Sequence, residues 1–223
     1  MLIVNNLVGF GVGGADGGYS IPVSGSFNGS VNAILGITSP SSTHTVSCWV
    51  KPATVGDTNR FPWSFDLGAG AVGLATRTST SYAAIYDGSS YNDSNDAISN
   101  TSNWYHLCWI ATAGSADLFI NGTEEISNIS LNSIAGATAF SVGDFSNGSN
   151  GWSGLIADFV YLDGTAEPVA SFYNSGALDP TGLSFGTNGF WCQDLDVGTD
   201  ISGNGNDLTP DAGITTSADT PTA

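Results

Sequence analysis

The chain has 223 residues, a length that suits one all-β domain of the larger kind, and sets 17 Asp and 3 Glu against 3 basic residues for a net charge of −17. So acidic a surface repels phosphate backbones and anionic lipid, which argues against nucleic-acid and membrane-surface binding. With 41% hydrophobic and 11% aromatic residues the chain is still equipped to bury a core.

The remaining composition points to strands and turns. Ser, Thr, Asn and Gly supply 98 residues, whereas Glu, Lys, Arg, Gln and Met together supply only 8. Surface helices are normally filled by those long side chains, and strands and turns by β-branched, aromatic, Asn and Gly residues. No stretch approaches the roughly 18 apolar residues of a membrane span. The amino terminus carries no basic n-region followed by a long apolar run, so it predicts no signal peptide. Cys48, Cys108 and Cys192 each adjoin a tryptophan (Trp49, Trp109, Trp191), and their spacing fits no zinc pattern. They read as buried free thiols of a protein folded in a reducing cytoplasm.

Residues 1–42 are rich in Gly and Ser, with short apolar runs at 2–4 and 31–35. The string Gly9-Phe-Gly11-Val-Gly13-Gly14 satisfies G-x-G-x-x-G. A dinucleotide site needs a helix opening at that point, and the following Ala-Asp-Gly-Gly-Tyr-Ser-Ile-Pro cannot begin one, so the string marks a turn. From residue 43 an alternation of period two emerges. Residues 43–51 put Val46, Cys48 and Val50 on one face and Thr45, Ser47 and Trp49 on the other. Residues 104–112 repeat the pattern, with Tyr105, Leu107 and Trp109 opposed to His106, Cys108 and Ile110. A strand over 116–121 ends at Asn121-Gly122, a favoured hairpin turn. Further strands are predicted at 61–66, 71–76, 82–87, 139–143 and 153–162, separated by turn clusters at the spacing of a sandwich. The expected fold is all-β, a two-sheet antiparallel jelly roll over residues 1–187. Residues 188–223 hold too little apolar material for a separate domain and are expected to form a strap or docking segment laid on an existing surface.

Three strings carry a family resemblance: Thr45-Val-Ser-Cys-Trp-Val-Lys-Pro52, Trp104-Tyr-His-Leu-Cys-Trp-Ile110 and Leu118-Phe-Ile-Asn-Gly122. With Val142-Gly143 and Gly151-Trp-Ser-Gly-Leu-Ile-Ala-Asp-Phe-Val-Tyr161 they resemble, in this order, the laminin-G-like branch of the concanavalin A-like lectin/glucanase superfamily. Leu162-Asp-Gly164, Asn188-Gly-Phe190, Asp200-Ile-Ser-Gly-Asn-Gly-Asn-Asp207 and Asp219-Thr-Pro-Thr222 resemble a pattern recurrent in bacteriophage structural proteins. That second resemblance implies a virion component, and the lack of a signal peptide and of disulfide pairing agrees with it.

Glucanases of the superfamily use two glutamates in an E-x-D-x-E strand, because retaining hydrolysis needs carboxyls about 5–5.5 Å apart. Of the three glutamates here, Glu124 and Glu125 are adjacent and point to opposite faces of a strand, and Glu167 precedes Pro168 in a loop. His44 and His106 lie in strand contexts, and no G-x-S-x-G string places a strained serine. The residues therefore predict a non-enzyme. Relatives often hold calcium at the sandwich rim through carboxylates, for which the candidates are Asp144, Asp194, Asp196 and Asp200. Among the tryptophans, Trp63 and Trp152 stand in loop-like or strand-edge contexts and are the candidate exposed contacts for a ligand.

The functional expectation is a non-enzymatic protein decorating a bacteriophage capsid at the virion surface. The major capsid protein is the expected partner, and a homo-oligomer is plausible from capsid symmetry. An initiator Met1 without a fibrous shaft suggests a whole small protein. The alternative is a carbohydrate-binding adhesin or receptor-binding tail appendage, whose ligand is a glycan.

Overall fold

The computed structural model describes residues 19–221 apart from residues 69, 79, 146–149, 175 and 178, so the Gly9–Gly14 string lies outside the described residues. Two antiparallel sheets face each other. The larger has eight strands: β1 (Ser24–Asn28), β3 (His44–Pro52), β8 (Tyr105–Thr112), β9 (Ser115–Ile120), β10 (Thr123–Ser130), β12 (Ser153–Asp163), β13 (Phe190–Cys192) and β15 (Thr215–Ser217). They run in the order β10-β9-β8-β3-β12-β1-β15, with β13 paired to β12. The second sheet has seven: β2 (Ala33–Gly36), β4 (Arg60–Asp66), β5 (Ala71–Thr76), β6 (Tyr82–Tyr86), β7 (Tyr91–Ala97), β11 (Ala139–Val142) and β14 (Thr209–Pro210), ordered β14-β2-β11-β4-β5-β6-β7. The helical content among the described residues is one 3₁₀ turn, Val169–Ser171. The expected two-sheet sandwich is the fold.

The alternation that predicted β3 and β8 positions their side chains as expected. Val46, Cys48, Val50, Leu107 and Trp109 enter the main core with Trp63, Phe65, Phe140 and Tyr161. The hairpin after β9 turns at Asn121 and Gly122 with φ of 48° and 78°, the paired left-handed conformations of a type I′ turn. Asn tolerates that region and Gly adopts it freely, which fixes the β9–β10 register.

A feature the alternation does not reveal is that the central strands β3, β8 and β12 of the eight-stranded sheet are buried on both faces. Its outward residues Cys108, Val160 and Leu162 pack under Phe172, Phe185 and Trp191, and Trp49 and Ala157 pack with Ile21 and Ala177. The segment after β12 supplies that second layer. Pairing skips between Ala157↔Trp49 and Val160↔Ser47, so Asp158 and Phe159 together oppose Cys48 in a β-bulge, with Asp158 at φ 50°. The bulge aims Asp158 outward, where its Oδ1 accepts hydrogen bonds from Tyr19 Oη (2.6 Å) and Trp191 Nε1 (2.8 Å). Burial raises the Asp158 carboxyl above its ordinary range, and these two donors act against that.

The C-terminal strap joins both sheets. β13 pairs with β12, β14 caps β2 at one edge and β15 caps β1 at another. At the far side the edge strands β7 and β10 are tied to each other, with Asn95 Nδ2 donating to Glu125 O (3.1 Å) and Asp96 N to Glu125 Oε2 (3.0 Å). Edge strands as short as β14 and β15, or tied together as β7 and β10 are, offer little template for pairing with another chain.

Candidate functional site

The outer face of the seven-stranded sheet carries the most site-like grouping. Leu74, Ile85 and Trp63 face the core, so the cross-strand row Gly73↔Tyr86 and Tyr86↔Tyr91 looks outward. The half-buried Tyr86 and Tyr91 rings meet at 4.8 Å, and Phe61 lies 6.1 Å from Tyr86 and 4.4 Å from Phe145. The Arg77 guanidinium sits 4.0 Å over the Tyr91 ring and pairs with Asp93 at 3.0 Å. Asn59 Nδ2 donates to Tyr91 Oη at 3.2 Å. A β-carbon on Gly73 would lie 2.5 Å from the Trp63 carbonyl, so the sheet beside Tyr86 stays bare. Aromatic rings flanked by an amide, a guanidinium and a carboxylate suit a ligand with an apolar C–H face and many hydroxyls. The sequence does hold the signal, since Tyr82 and Tyr86 alternate with core residues and Tyr91 follows the Asp87-Gly88 turn, but tryptophan drew the expectation elsewhere.

The two tryptophans expected as exposed contacts are core residues. Trp63 and Trp152 are each 1% exposed. Trp63 is inward because Phe-Pro-Trp-Ser is the middle of β4, and its ring packs on Trp109 (5.0 Å, edge-on) and Phe140 (5.6 Å, stacked). Trp152 enters the core just before β12, donating from Nε1 to Leu155 O (3.3 Å). Replacing either by alanine is therefore expected to remove about 3–5 kcal/mol of stability, read by denaturant unfolding, rather than to act on a ligand.

The four aspartates proposed as calcium ligands do not converge. Asp144, buried, accepts from Asn32 Nδ2 (3.2 Å) and Phe145 N (2.6 Å). Asp194 and Asp196 do meet, on the Thr216 hydroxyl (3.5 and 3.1 Å). Asp200 is enclosed by donors from Trp191 N, Ser202 N, Ser202 Oγ and Asn206 N at 2.8–3.0 Å. Those bonds hold its carboxyl below the ordinary range despite the opposing effect of burial. Among the described residues no three His, Cys, Asp or Glu side chains gather as metal ligands. Most of these carboxylates organise their own turns, as Asp commonly does.

Both histidines are sealed inside. His44 Nδ1 faces Ser41 O at 3.1 Å and its Nε2 accepts from Trp109 Nε1 at 3.1 Å, which fixes a neutral tautomer. His106 Nε2 lies 2.9 Å from Ser47 Oγ, beneath the Tyr173 ring at 5.2 Å. Among the described residues His106 Nδ1 has no acceptor, so none of their carboxylates orients this Ser–His contact as in a triad. Burial lowers the His44 pKa to about 4 and that of His106 to about 3. The glutamates stay apart in role: Glu124 is exposed, Glu125 is bound to β7, and Glu167 accepts from Ser171 Oγ.

The Asn- and Asp-rich strings at 162–164, 188–190, 200–207 and 219–222 are locks. Asp163 accepts from Ser41 N (2.7 Å) and from Asn188 Nδ2 (2.7 Å), joining two of them. Asn204 and Asn206 donate to the carbonyls of Gly186, Thr187 and Gly189 at 2.7–2.9 Å. Asp219 binds Lys51 Nζ (2.7 Å) and Trp104 Nε1 (3.0 Å). Their bonds hold the strap to the sandwich.

With the two-sheet topology established, the sequence comparison decides the family. Residues 24–168, from β1 to the residue before the 3₁₀ turn, match the laminin-G-type profile of the concanavalin A-like lectin/glucanases superfamily. The chain belongs to this superfamily. Similar solved structures include a candidate carbohydrate-binding protein of Bacteroides ovatus (18% identity, TM-score 0.65). Of that protein the match covers 62%, against 92% of this chain. A heptameric SAP-like pentraxin of Limulus polyphemus is similar over 90% of this chain and 97% of its own (15% identity, TM-score 0.61). Domain 4 of an extracellular GH43 arabinanase of Geobacillus stearothermophilus, solved with arabinotriose, is similar over 65% of this chain and 72% of its own (22% identity, TM-score 0.55). At these identities the likeness is one of concanavalin A-like fold. Among curated proteins none matches the sequence.

Proposed function

We propose that this concanavalin A-like chain is a non-enzymatic binding protein whose ligand is a carbohydrate, held at the outer face of the seven-stranded sheet. The observation that carries this reading is the half-buried Tyr86–Tyr91 pair with Arg77, Asp93 and Asn59 around it. Rings accept the C–H face of a sugar, and the polar side chains suit its hydroxyls. The arabinotriose held by the similar arabinanase domain supports the ligand class. The sealed Ser47–His106 contact and the separate roles of the glutamates support a non-catalytic role. A glycan array read with the wild type and Tyr86→Ala tests it. A defined set of glycans should bind, and Tyr86→Ala should lose about 1–3 kcal/mol of affinity by calorimetry. An array without signal, or equal binding by Tyr86→Ala, would sink the reading.

A second reading, a bacteriophage virion protein decorating the capsid, is favoured by the strap. The strings that resemble phage structural proteins fall largely there, and the strap, bonded to the sandwich through Asn204 and Asn206, leaves Val197 and Ile201 at the surface. Immunogold labelling of virions separates the readings: label on heads that still adsorb normally without the protein supports decoration, and label confined to tails supports an adhesin.

A further inference from the structure

Val197 and Ile201 are the most exposed large apolar side chains among the described residues, at 61% and 46%. They flank one open cleft of about 370 Å³, completed by Pro22, Val23, Gln193, Asp194 and Thr199. The walls are built in advance by backbone bonds: Gly198 N to Asp194 O, Ile201 N to Trp191 O and Leu208 N to Gly198 O, each 2.8 Å. Gly198 (φ 76°) is required there, because a β-carbon would lie 2.5 Å from Leu208 O. Apolar side chains held out on a braced loop serve neither the core nor the sugar face, which is built on β4–β7.

The charge around the cleft narrows what covers it. Asp194 lines it and Asp196 is exposed beside it, and among the described residues both are bound to neutral donors. Every basic side chain of the chain is already in an ion pair: Lys51 with Asp219, Arg60 with Asp57, Arg77 with Asp93. The protein has no lysine or arginine left to offer a partner, and at −17 a second copy is repelled. We propose that this cleft docks a short segment of another protein that combines aliphatic side chains with flanking lysine or arginine. Apolar contact with Val197, Ile201, Pro22 and Val23 supplies affinity, and the carboxylates of Asp194 and Asp196 supply orientation and rate. The surface is independent of the sugar face, so each is testable without the other.

The test uses the ¹⁵N-labelled full chain and two blocked peptides, Lys-Leu-Val-Leu-Lys and Glu-Leu-Val-Leu-Glu. The lysine peptide should shift the amide signals of Gln193, Val197 and Ile201, and the glutamate peptide should bind at least about tenfold more weakly. Raising salt should reduce the difference. The double variant V197S/I201S should lose the response while unfolding at the same denaturant concentration, since both side chains are exposed. Equal binding of the two peptides, shifts confined to other residues, or a concentration-dependent dimer that protects Val197 and Ile201 would overturn the proposal. An arm with the glycans that bind the array should leave these signals unmoved; shifts here on adding sugar would also overturn it.

Discussion

Unfolding near pH 5 should take up protons at the two histidines, so that stability falls as pH drops from roughly 6 to 4.5, by on the order of 2 kcal/mol for each pH unit before the opposing Asp158 is counted. The cause is the pair of neutral buried imidazoles. His44 has its pKa lowered to about 4 and His106 to about 3, in both cases mainly by burial. In the unfolded chain both titrate near the ordinary value of about 6.5. Below that value the unfolded state binds two protons that the native state refuses. A lowered histidine pKa therefore gives stability that is complete above pH 6.5 and is lost as pH falls toward the native pKa. Asp158 acts with the opposite sign, because its carboxyl is raised by burial and its protonation relieves the native state as pH falls. Asp200, Asp87 and Asp57 are lowered, and their contribution disappears only at more acid pH. Chemical denaturation at a series of pH values checks the slope. His44→Gln and His106→Gln should each remove about one proton from it, and an unchanged slope in both would mean that neither imidazole is held neutral.

Deleting residues 204–223 should abolish the fold rather than merely detach the protein from a partner. The deletion removes the buried Leu208 and Ile214, the strands β14 and β15 that cap β2 and β1, and the amides of Asn204 and Asn206. Losing each aliphatic costs about 2–5 kcal/mol, and the sum approaches the 5–15 kcal/mol that holds a typical domain together. Uncovered β1 and β2 edges then invite aggregation. Leu208→Ala alone should cost about 2–4 kcal/mol and remain soluble. Circular dichroism and light scattering of the two variants read the result. A truncated chain that melts like the full one would show that the strap contributes little to the sandwich and would return it to a docking role alone.

How much of this was legible in the residues follows from what each signal measures. Alternation reports which way a side chain points from its strand, so β3 and β8 and their core faces were readable from 43–51 and 104–112, while β12 was readable as a strand from 153–162 but its bulge at Asp158–Phe159, which switches the core face, was not. Asn121-Gly122 states a local backbone conformation, and the turn formed there. By contrast β7 reads Tyr-Asn-Asp-Ser-Asn-Asp-Ala and is polar throughout; it is a strand because β6 pairs with it and β10 packs beside it.

The candidate sites needed the tertiary structure for the same reason. Whether Trp63 is exposed depends on the sheet that covers its face, and whether Asp194 and Asp200 share a cation depends on distances between turns. Neither quantity is local. The sequence by itself determined the strand-rich class, the acidic surface and the lack of a paired-glutamate motif, since composition and period-two patterning suffice for these, while the superfamily was legible only through the resemblance of strings such as Thr45–Pro52 and Trp104–Ile110. Only the tertiary structure decided that both faces of β3, β8 and β12 are buried, that the Asn- and Asp-rich strings lock a strap onto two sheet edges, and that Tyr86, Arg77, Val197 and Ile201 reach the surface. These depend on contacts between residues more than a hundred positions apart, such as Asn188 with Thr38 and Asp219 with Lys51, which no local pattern encodes.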